Sequence, residues 1–238
     1  MSEYKVKLKG QSAVAAGTMT FRFSKPDGFV YAAGQAIDLQ LLDPPAEEGQ
    51  DSRMFSLVSA PFEQDLAVAI RMRGSAFKRA LAALPDGASI GFDGPFGDLT
   101  LDGGGRPAVF IAGGIGITPF MSMLRQAAQE RSPQRLFLAY SNRRPEDAAF
   151  LGELQQLERQ NPSFRLMATM TDMSKSAREW SGETGHVDAD KLQRLVGDAA
   201  APVYYLVGPP AMVEAMQGTL AAAGIAADRI RSEEFWGY

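Results

Sequence analysis

The segment AGGIGITP at residues 112–119 directly follows the apolar run AVFI at residues 108–111. An apolar strand that enters a helix through glycines lets main-chain amides approach a phosphate at the positive end of the helix dipole. Pro119 suits the first turn of that helix, because its missing N–H would have had no partner there. The dinucleotide pattern G-x-G-x-x-G is incomplete, since Pro119 stands where the third glycine would be. The segment predicts either a nucleotide-binding turn or an ordinary tight strand–helix turn.

Strands and helices alternate on the C-terminal side of this turn. A helix is predicted over residues 119–130, followed by apolar strands at 135–142, 164–171, 203–208 and 230–235 and helices at 145–160, 188–196 and 209–224. Pro145 is well placed in the first turn of its helix. This alternation predicts a Rossmann-like parallel sheet covered by helices on both faces.

The N-terminal half has a different pattern. Short segments of period two, typical of half-buried strands, occur at residues 4–10, 19–26, 36–45, 54–61, 66–74 and 88–95, with one helical segment at 73–87. Strands at this spacing predict a barrel or sandwich. A turn-rich seam at residues 103–107 marks the expected boundary, which gives domains 1–102 and 103–238.

Composition excludes several kinds of protein. The 238 residues carry a net charge of -4, with no cysteine and one histidine. Disulfides, thiolate nucleophiles and cysteine-bound clusters are therefore excluded within the sequence, and no metal site is expected. The mild acidity gives no bulk attraction to nucleic acid or to an anionic membrane. The sequence shows neither a secretory signal nor a membrane-spanning run, so a cytoplasmic location is expected.

Two segments of the N-terminal half carry candidate ligand-binding residues. RMFS at residues 53–56 places Arg53 and Phe55 on one face of a strand and Met54 and Ser56 on the other. This set is compatible with a planar, phosphorylated ligand, or with an ordinary barrel strand. RGSAFK at residues 73–78 opens the helix of this half, and its free amides with Lys78 predict either an anion site or a capped helix with a solvated lysine.

Four collinear pieces resemble the ferredoxin–NADP reductase superfamily over almost the whole chain. They are RMFS at 53–56, GPFG at 94–97, GGIGITP at 113–119 and GPP at 208–210. The resemblance implies an N-terminal antiparallel Greek-key β-barrel that binds FAD and a C-terminal Rossmann-like α/β domain that binds NAD(P)H. It indicates a stand-alone reductase without an iron–sulfur domain.

The resemblance also implies roles for individual residues. Arg53 would bind flavin phosphate, Phe55 would pack on the flavin ring, and Ser56 would act catalytically beside the flavin atom N5 that accepts hydride. One of the terminal aromatics would cover the flavin; Tyr238 resembles the chain-ending aromatic of the family and is the expected catalytic one, with Phe235 and Trp236 as alternatives. The full expected cofactor-binding set is Arg53, Met54, Phe55, Ser56, Arg71, Gly74, Ser75, Ala76, Phe77, Lys78, Gly114, Gly116, Thr118, Pro119, Asn142, Arg143, Arg144, Gly208, Pro209, Pro210, Phe235, Trp236 and Tyr238.

The nucleotide preference is expected from the end of the second strand of the α/β half. An acidic residue at this place favours NAD, whereas Asn142, Arg143 and Arg144 stand here, and arginines match the 2′-phosphate of NADPH. The alternative is that both arginines point to solvent, so NADPH is favoured weakly over NADH.

The expected function is hydride transfer between NAD(P)H and FAD, with electrons passed to a carrier such as ferredoxin or flavodoxin. One alternative is the reductase component of an oxygenase, or a diaphorase that reduces free flavin, ferric iron or quinones. A further alternative is a non-catalytic nucleotide-binding subunit, because fold alone does not fix function.

Overall fold

A computed structural model describes residues 4–43 and 51–236, which divide into two compact units. The first unit runs to Thr100 and includes Thr118–Gln126; the second contains Leu101–Ile117 and the chain from Ala127 onward. No helix in the described ranges is long and apolar enough to cross a lipid bilayer.

The first unit is built on a six-stranded antiparallel sheet. Its elements are β1 (Tyr4–Ala15), β2 (Thr18–Ser24), β3 (Ala36–Gln40), β4 (Ser52–Ser56), β5 (Asp65–Arg71), α1 (Ala76–Ala83) and β6 (Ser89–Phe96). The strand order is β4-β3-β6-β1-β2-β5. An antiparallel bridge between Leu57 and Val68 connects the chain after β4 to β5, so the two edges of the sheet meet. Strand β6 lies between β3 and β1, so the chain returns over a long connection to pair beside the first strand, as in a Greek key.

Sequence periodicity explains the core of this unit. Along β1 the side chains of Lys5, Lys7 and Lys9 are exposed, while those of Val6 and Leu8 are buried. Successive side chains on a strand point to opposite faces, so alternation of this kind covers one face and solvates the other. The resulting core includes the fully buried rings of Phe21, Phe23, Phe77 and Phe92.

The second unit is a six-stranded parallel sheet with helices. Its elements are β7 (Ala108–Gly113), β8 (Leu136–Asn142), α3 (Leu151–Gln160), β9 (Phe164–Met170), β10 (Glu183–Thr184), α4 (Ala189–Val196), β11 (Val203–Gly208), α5 (Pro210–Ala222) and β12 (Ile230–Glu234), in strand order β10-β9-β8-β7-β11-β12. Every residue of β7 and β11 is buried, as expected for central strands covered on both faces. The predicted fold class, an antiparallel barrel followed by a Rossmann-like α/β unit, is confirmed.

Helix α2 (Thr118–Gln129) has its first nine residues in the first unit. The hydroxyl of Ser122 donates to the carbonyl oxygen of Ser59 at 2.6 Å, and Arg125 donates to the carbonyl oxygen of Val58 at 3.1 Å. Tyr31 donates to the same Ser59 carbonyl at 3.0 Å. These bonds hold the first part of α2 against the barrel.

The predicted helix at residues 145–160 is wrong in its first six positions. Pro145–Asp147 form a single 3₁₀ turn, and α3 begins only at Leu151. Phe150 has a φ of 61°, which lies in the left-handed region and interrupts a right-handed helix. Pro145 thus starts the short 3₁₀ turn and not α3. The amphipathic sequence pattern runs through residues 145–160 and gives no sign of the break at Phe150.

Candidate functional site

The glycine-rich turn after β7 leaves main chain accessible at one position and packs it tightly at another. Residues Gly114–Ile117 form a 3₁₀ turn that leads into α2. Gly114 has a φ of +54°, and nothing lies within 4 Å of the place where a Cβ atom would stand. At Gly116, in contrast, a Cβ atom would overlap the carbonyl oxygen of Val207. The second position therefore requires glycine for packing against β11, and the first offers open backbone to a ligand.

A second loop meets the first at the same edge of the parallel sheet. A Cβ atom on Gly208 would stand 3.1 Å from the main-chain nitrogen of Gly113, so the two loops are in near backbone contact. The carbonyl oxygen of Gly208 accepts a hydrogen bond from the amide of Phe235 at 3.0 Å. Pro210 begins α5 directly after this loop. Loops at the carboxyl ends of parallel strands form the usual ligand crevice of such folds.

Asn142 at the end of β8 is a buried amide without a partner. The residue is 5% exposed, and neither its Oδ1 nor its Nδ2 atom has a hydrogen-bond partner. A buried polar group without a partner costs about 1–3 kcal/mol, so native proteins normally satisfy it with a ligand or water. An amide offers both a donor and an acceptor, which fits the hydroxyl and amide groups of a nicotinamide nucleotide.

Arg143 and Arg144 have different surroundings. Arg144 donates two hydrogen bonds to the Asp147 carboxylate, at 2.9 and 3.0 Å, and a third to the carbonyl oxygen of Lys175 at 3.1 Å. The hydrogen bond to Asp147 raises the pKa of Arg144 above its usual value. Arg143 is exposed, and its guanidinium group forms no ion pair or hydrogen bond within the described residues. Arg143 is therefore available to an anion, whereas Arg144 already holds a carboxylate.

The first unit contains an electropositive cluster formed by Arg53, Arg73 and Lys78. Lys78 Nζ donates to the carbonyl oxygen of Arg71 at 2.9 Å. Burial lowers the pKa of Lys78 below its usual value, and the charges of Arg53 and Arg73 lower it further. No carboxylate of the described chain forms an ion pair with any of these three cations. Cations that lie together without an ion-pair partner among the described residues favour the binding of an anion.

Ser75 supports the same interpretation. It precedes the first residue of α1, but its side chain does not cap the helix, and its buried Oγ atom has no partner. The amides of the first helical turn and this hydroxyl together offer hydrogen bonds to phosphate oxygens. Gly74, with a φ of +47°, turns the chain into this position. The cluster and Ser75 fit the pyrophosphate of a dinucleotide such as FAD.

Strand β4 places the expected flavin residues on different faces. Phe55 packs against the barrel core, with its ring centre 6.1 Å from that of Phe77. Ser56 is 7% exposed, and its hydroxyl forms no hydrogen bond among the described residues, while Met54 is 55% exposed. Phe77 is fully buried in the barrel core. The assignment of these residues to cofactor binding stays a prediction.

The C-terminal aromatics are only partly described. Phe235 is partly buried, and Trp236 is 78% exposed. Tyr238, the expected catalytic aromatic, lies outside the described residues. Thr118 and Pro119 are buried at the start of α2. Their predicted contacts with a nucleotide stay predictions.

Sequence reasoning missed two features of the site. Arg73 is absent from the predicted cofactor-binding set, although its charge acts on Lys78. Its position just before α1 was the signal in the sequence that could have indicated a role in anion binding. The pairing of Arg144 with Asp147 was also missed, and the spacing of three residues between opposite charges could have indicated it.

Comparison with known proteins identifies the family. Over 202 residues, 80% of each chain, the sequence is 34% identical to "Ferredoxin--NADP reductase B" of Sorangium cellulosum. The chain belongs to the ferredoxin–NADP reductase superfamily. The family description "Oxidoreductase NAD-binding domain" matches residues 110–218. The chain is therefore an NAD(P)H–flavin oxidoreductase that binds FAD and a nicotinamide nucleotide.

Two further comparisons concern a longer relative and the fold. The reductase component of propane 2-monooxygenase from Rhodococcus jostii is 29% identical over 89% of this chain, which spans only 57% of that protein. The FAD/NAD-binding domain of nitric oxide dioxygenase from Vibrio cholerae superposes with a TM-score of 0.86, at 22% identity and 99% coverage of both chains. This likeness shows that the chain has the fold of that FAD/NAD-binding domain.

Proposed function

We propose that this reductase oxidises NADPH, reduces its bound FAD and passes the electrons to a separate protein carrier. The observation that supports this most strongly is the set of unsatisfied groups in each unit. The buried Ser75 hydroxyl lies beside a cation cluster in the first unit, and the buried Asn142 amide lies at the nucleotide loops of the second. Residues 1–102 would form the FAD domain and 103–238 the nucleotide domain.

In the first domain the protein's contribution is binding and orientation. FAD, when bound, supplies a ring that takes up two electrons together and releases them singly or as a pair. Arg53, Arg73 and Lys78 would neutralise its pyrophosphate, with Ser75 and the amides of α1 as hydrogen-bond donors. Phe55 would cover the flavin ring. Ser56, whose hydroxyl has no other partner in the described chain, would form a hydrogen bond at the reactive nitrogen N5.

The role of Ser56 is testable against a matched serine of the same strand. Ser56→Ala should slow flavin reduction by NADPH about tenfold or more, because a hydrogen bond at the reacting atom is lost, while FAD affinity changes little. Stopped-flow absorbance under nitrogen measures the rate. Ser52→Ala is the control and should leave the rate unchanged. An unchanged rate in Ser56→Ala would remove Ser56 from the mechanism.

In the second domain Arg143 would select NADPH over NADH. Its exposed guanidinium, which acts on the charge of Asp172 but forms no ion pair or hydrogen bond in the described chain, would pair with the 2′-phosphate, whereas Arg144 is held by Asp147. Arg143→Ala should raise the KM for NADPH about tenfold or more and leave the KM for NADH unchanged, because a charge-assisted hydrogen bond is lost. Arg165→Ala, an exposed arginine of β9, is the control. Equal use of NADH and NADPH by the unaltered protein would refute the preference.

The acceptor is proposed from the relatives. The Sorangium relative is named a ferredoxin–NADP reductase, and the Rhodococcus relative is named the reductase component of a monooxygenase. Since this sequence contains no cysteine, it cannot hold a cysteine-bound iron–sulfur cluster, and electrons would leave FAD directly for ferredoxin, flavodoxin or an oxygenase component. The second candidate function, reduction of free flavin, ferric iron or quinones, needs no protein partner.

One spectroscopic experiment tests the function as a whole. The purified protein should be yellow, release FAD on denaturation and bleach when NADPH is added under nitrogen. Adding oxidised ferredoxin or flavodoxin should restore the colour faster than adding free flavin. A colourless protein that does not take up FAD would overturn the proposal, and faster recovery with free flavin would favour the second candidate.

A further inference from the structure

A cavity in the second unit lies away from the loops assigned to nucleotide. It has a volume of about 290 Å³, is partly open to solvent and lies between α4, the end of α5, the loop between α4 and β11, and the loop after α5. Its apolar wall includes the side chains of Leu192, Val196, Pro202, Leu220 and Ile225. Binding cavities for small molecules typically start at about 300 Å³ and combine apolar walls with a few polar groups.

The position of the cavity separates it from the nucleotide site. Tyr204, which lines the cavity, is the second residue of β11, and Gly208 at the nucleotide loops is the last. Four residues of extended strand span about 13 Å. The cavity therefore lies towards the amino ends of the parallel strands, opposite to the edge where the glycine loops meet.

Two polar groups of the cavity lack partners. Tyr204 is 8% exposed, and its hydroxyl has no hydrogen-bond partner in the described residues. Arg229 also lines the cavity, and no carboxylate of the described chain forms an ion pair with it. Burial raises the pKa of the Tyr204 phenol, and the nearby charge of Arg229 opposes this effect. The phenol stays protonated near neutral pH and is available as a hydrogen-bond donor.

We propose that this cavity binds a small apolar monocarboxylate, such as an aromatic acid or a short-chain aliphatic acid. The guanidinium of Arg229 would pair with the carboxylate, the Tyr204 hydroxyl would donate to one carboxylate oxygen, and the apolar wall would cover the body of the ligand. A guanidinium group matches the geometry of a carboxylate. Arg229 is the one cation among the described lining residues, so a second carboxylate would have no cationic partner in the cavity. This site is independent of the proposed function.

Binding is tested with the full chain carrying its flavin. Benzoate and hexanoate are titrated separately, and benzamide serves as the neutral control of similar shape. Isothermal titration calorimetry should show binding of at least one acid at millimolar concentration or below, and weaker binding of benzamide. In the unaltered protein labelled with ¹⁵N, the acid should shift the amide signals of Ala199, Ala223 and Arg229. Failure of both acids to bind, or shifts confined to other regions, would overturn the proposal.

Variants test which groups hold the acid. Arg229→Gln should lower the affinity about tenfold or more, because it removes the charge that pairs with the carboxylate. Tyr204→Phe should lower it by a smaller factor, and Ala223→Leu should block binding by filling the cavity. Arg165→Gln makes the same change of charge elsewhere in the unit and should leave binding unchanged. Equal affinity in Arg229→Gln and Arg165→Gln would refute the assignment.

Discussion

Arg144 and its neighbour Arg143 are expected to respond differently when each is replaced by alanine. Arg144 is paired with Asp147 through two hydrogen bonds, and the Asp147 side chain is 5% exposed, against 31% for Arg144. Removing one partner of a fully buried pair costs about 3–5 kcal/mol. Because water reaches the arginine side of this pair, we expect Arg144→Ala to lower the free energy of unfolding by less than this, but by more than the loss of an exposed surface ion pair would.

Urea denaturation followed by circular dichroism measures this loss, and Arg143→Ala is the matched control. Arg143 makes no side-chain contact of this kind within the described chain, so its variant should keep the stability of the unaltered protein and lose only affinity for NADPH. In the double variant Arg144→Ala, Asp147→Ala, part of the stability should return, since no buried charge is left alone. A stable Arg144→Ala variant with a raised KM for NADPH would refute this assignment and return Arg144 to the nucleotide site.

Three further predictions concern titration and packing. Burial raises the pKa of Tyr31 to about 12 from an ordinary 10. The contribution of the protonated Tyr31 phenol to the free energy of unfolding is therefore fully present below pH 10 and is lost as the pH rises from 10 to 12. That contribution is about 3 kcal/mol, and Tyr31→Phe should flatten this part of the stability–pH curve in alkaline urea titrations. Gly116→Ala should destabilise the chain by about 1–3 kcal/mol through overlap with Val207, whereas Gly152→Ala, in open space on a helix, should be neutral or stabilising by differential scanning calorimetry. FAD affinity should weaken as pH rises through the lowered pKa of Lys78, where its charge is lost; Lys78→Met should bind FAD more weakly at pH 7 and show a flatter profile by fluorescence titration.

Local patterns predicted the parallel half well. The apolar run that forms β7 and the glycines that follow it lie next to each other in sequence, so strand, turn and helix could be located together. The alternation of lysines with apolar residues in β1 equally specified one buried face. These features depend on the period of side-chain exposure, which the sequence displays directly.

Contacts between distant residues were not predictable in this way. The bond from Ser122 to Ser59 joins positions 63 residues apart and places the first part of α2 in the first unit. The break at Phe150 depends on a left-handed backbone conformation that a phenylalanine rarely adopts. The side chains of Ser75 and Asn142 lack hydrogen-bond partners because of where the folded chain buries them, which the sequence does not display. Residue types alone therefore indicated candidates for the site but not which of them lack partners.

The hydrogen bonds between α2 and the barrel determine where the chain can be divided into fragments. A fragment that ends at residue 102, where the composition changes, would lack the serine and arginine that bond to the carbonyl groups of Ser59 and Val58. The buried hydroxyl of Tyr31 would then be the single remaining side-chain donor to Ser59 O among these groups. Transplanting the first unit onto another reductase therefore requires that its own helix α2 is transferred with it.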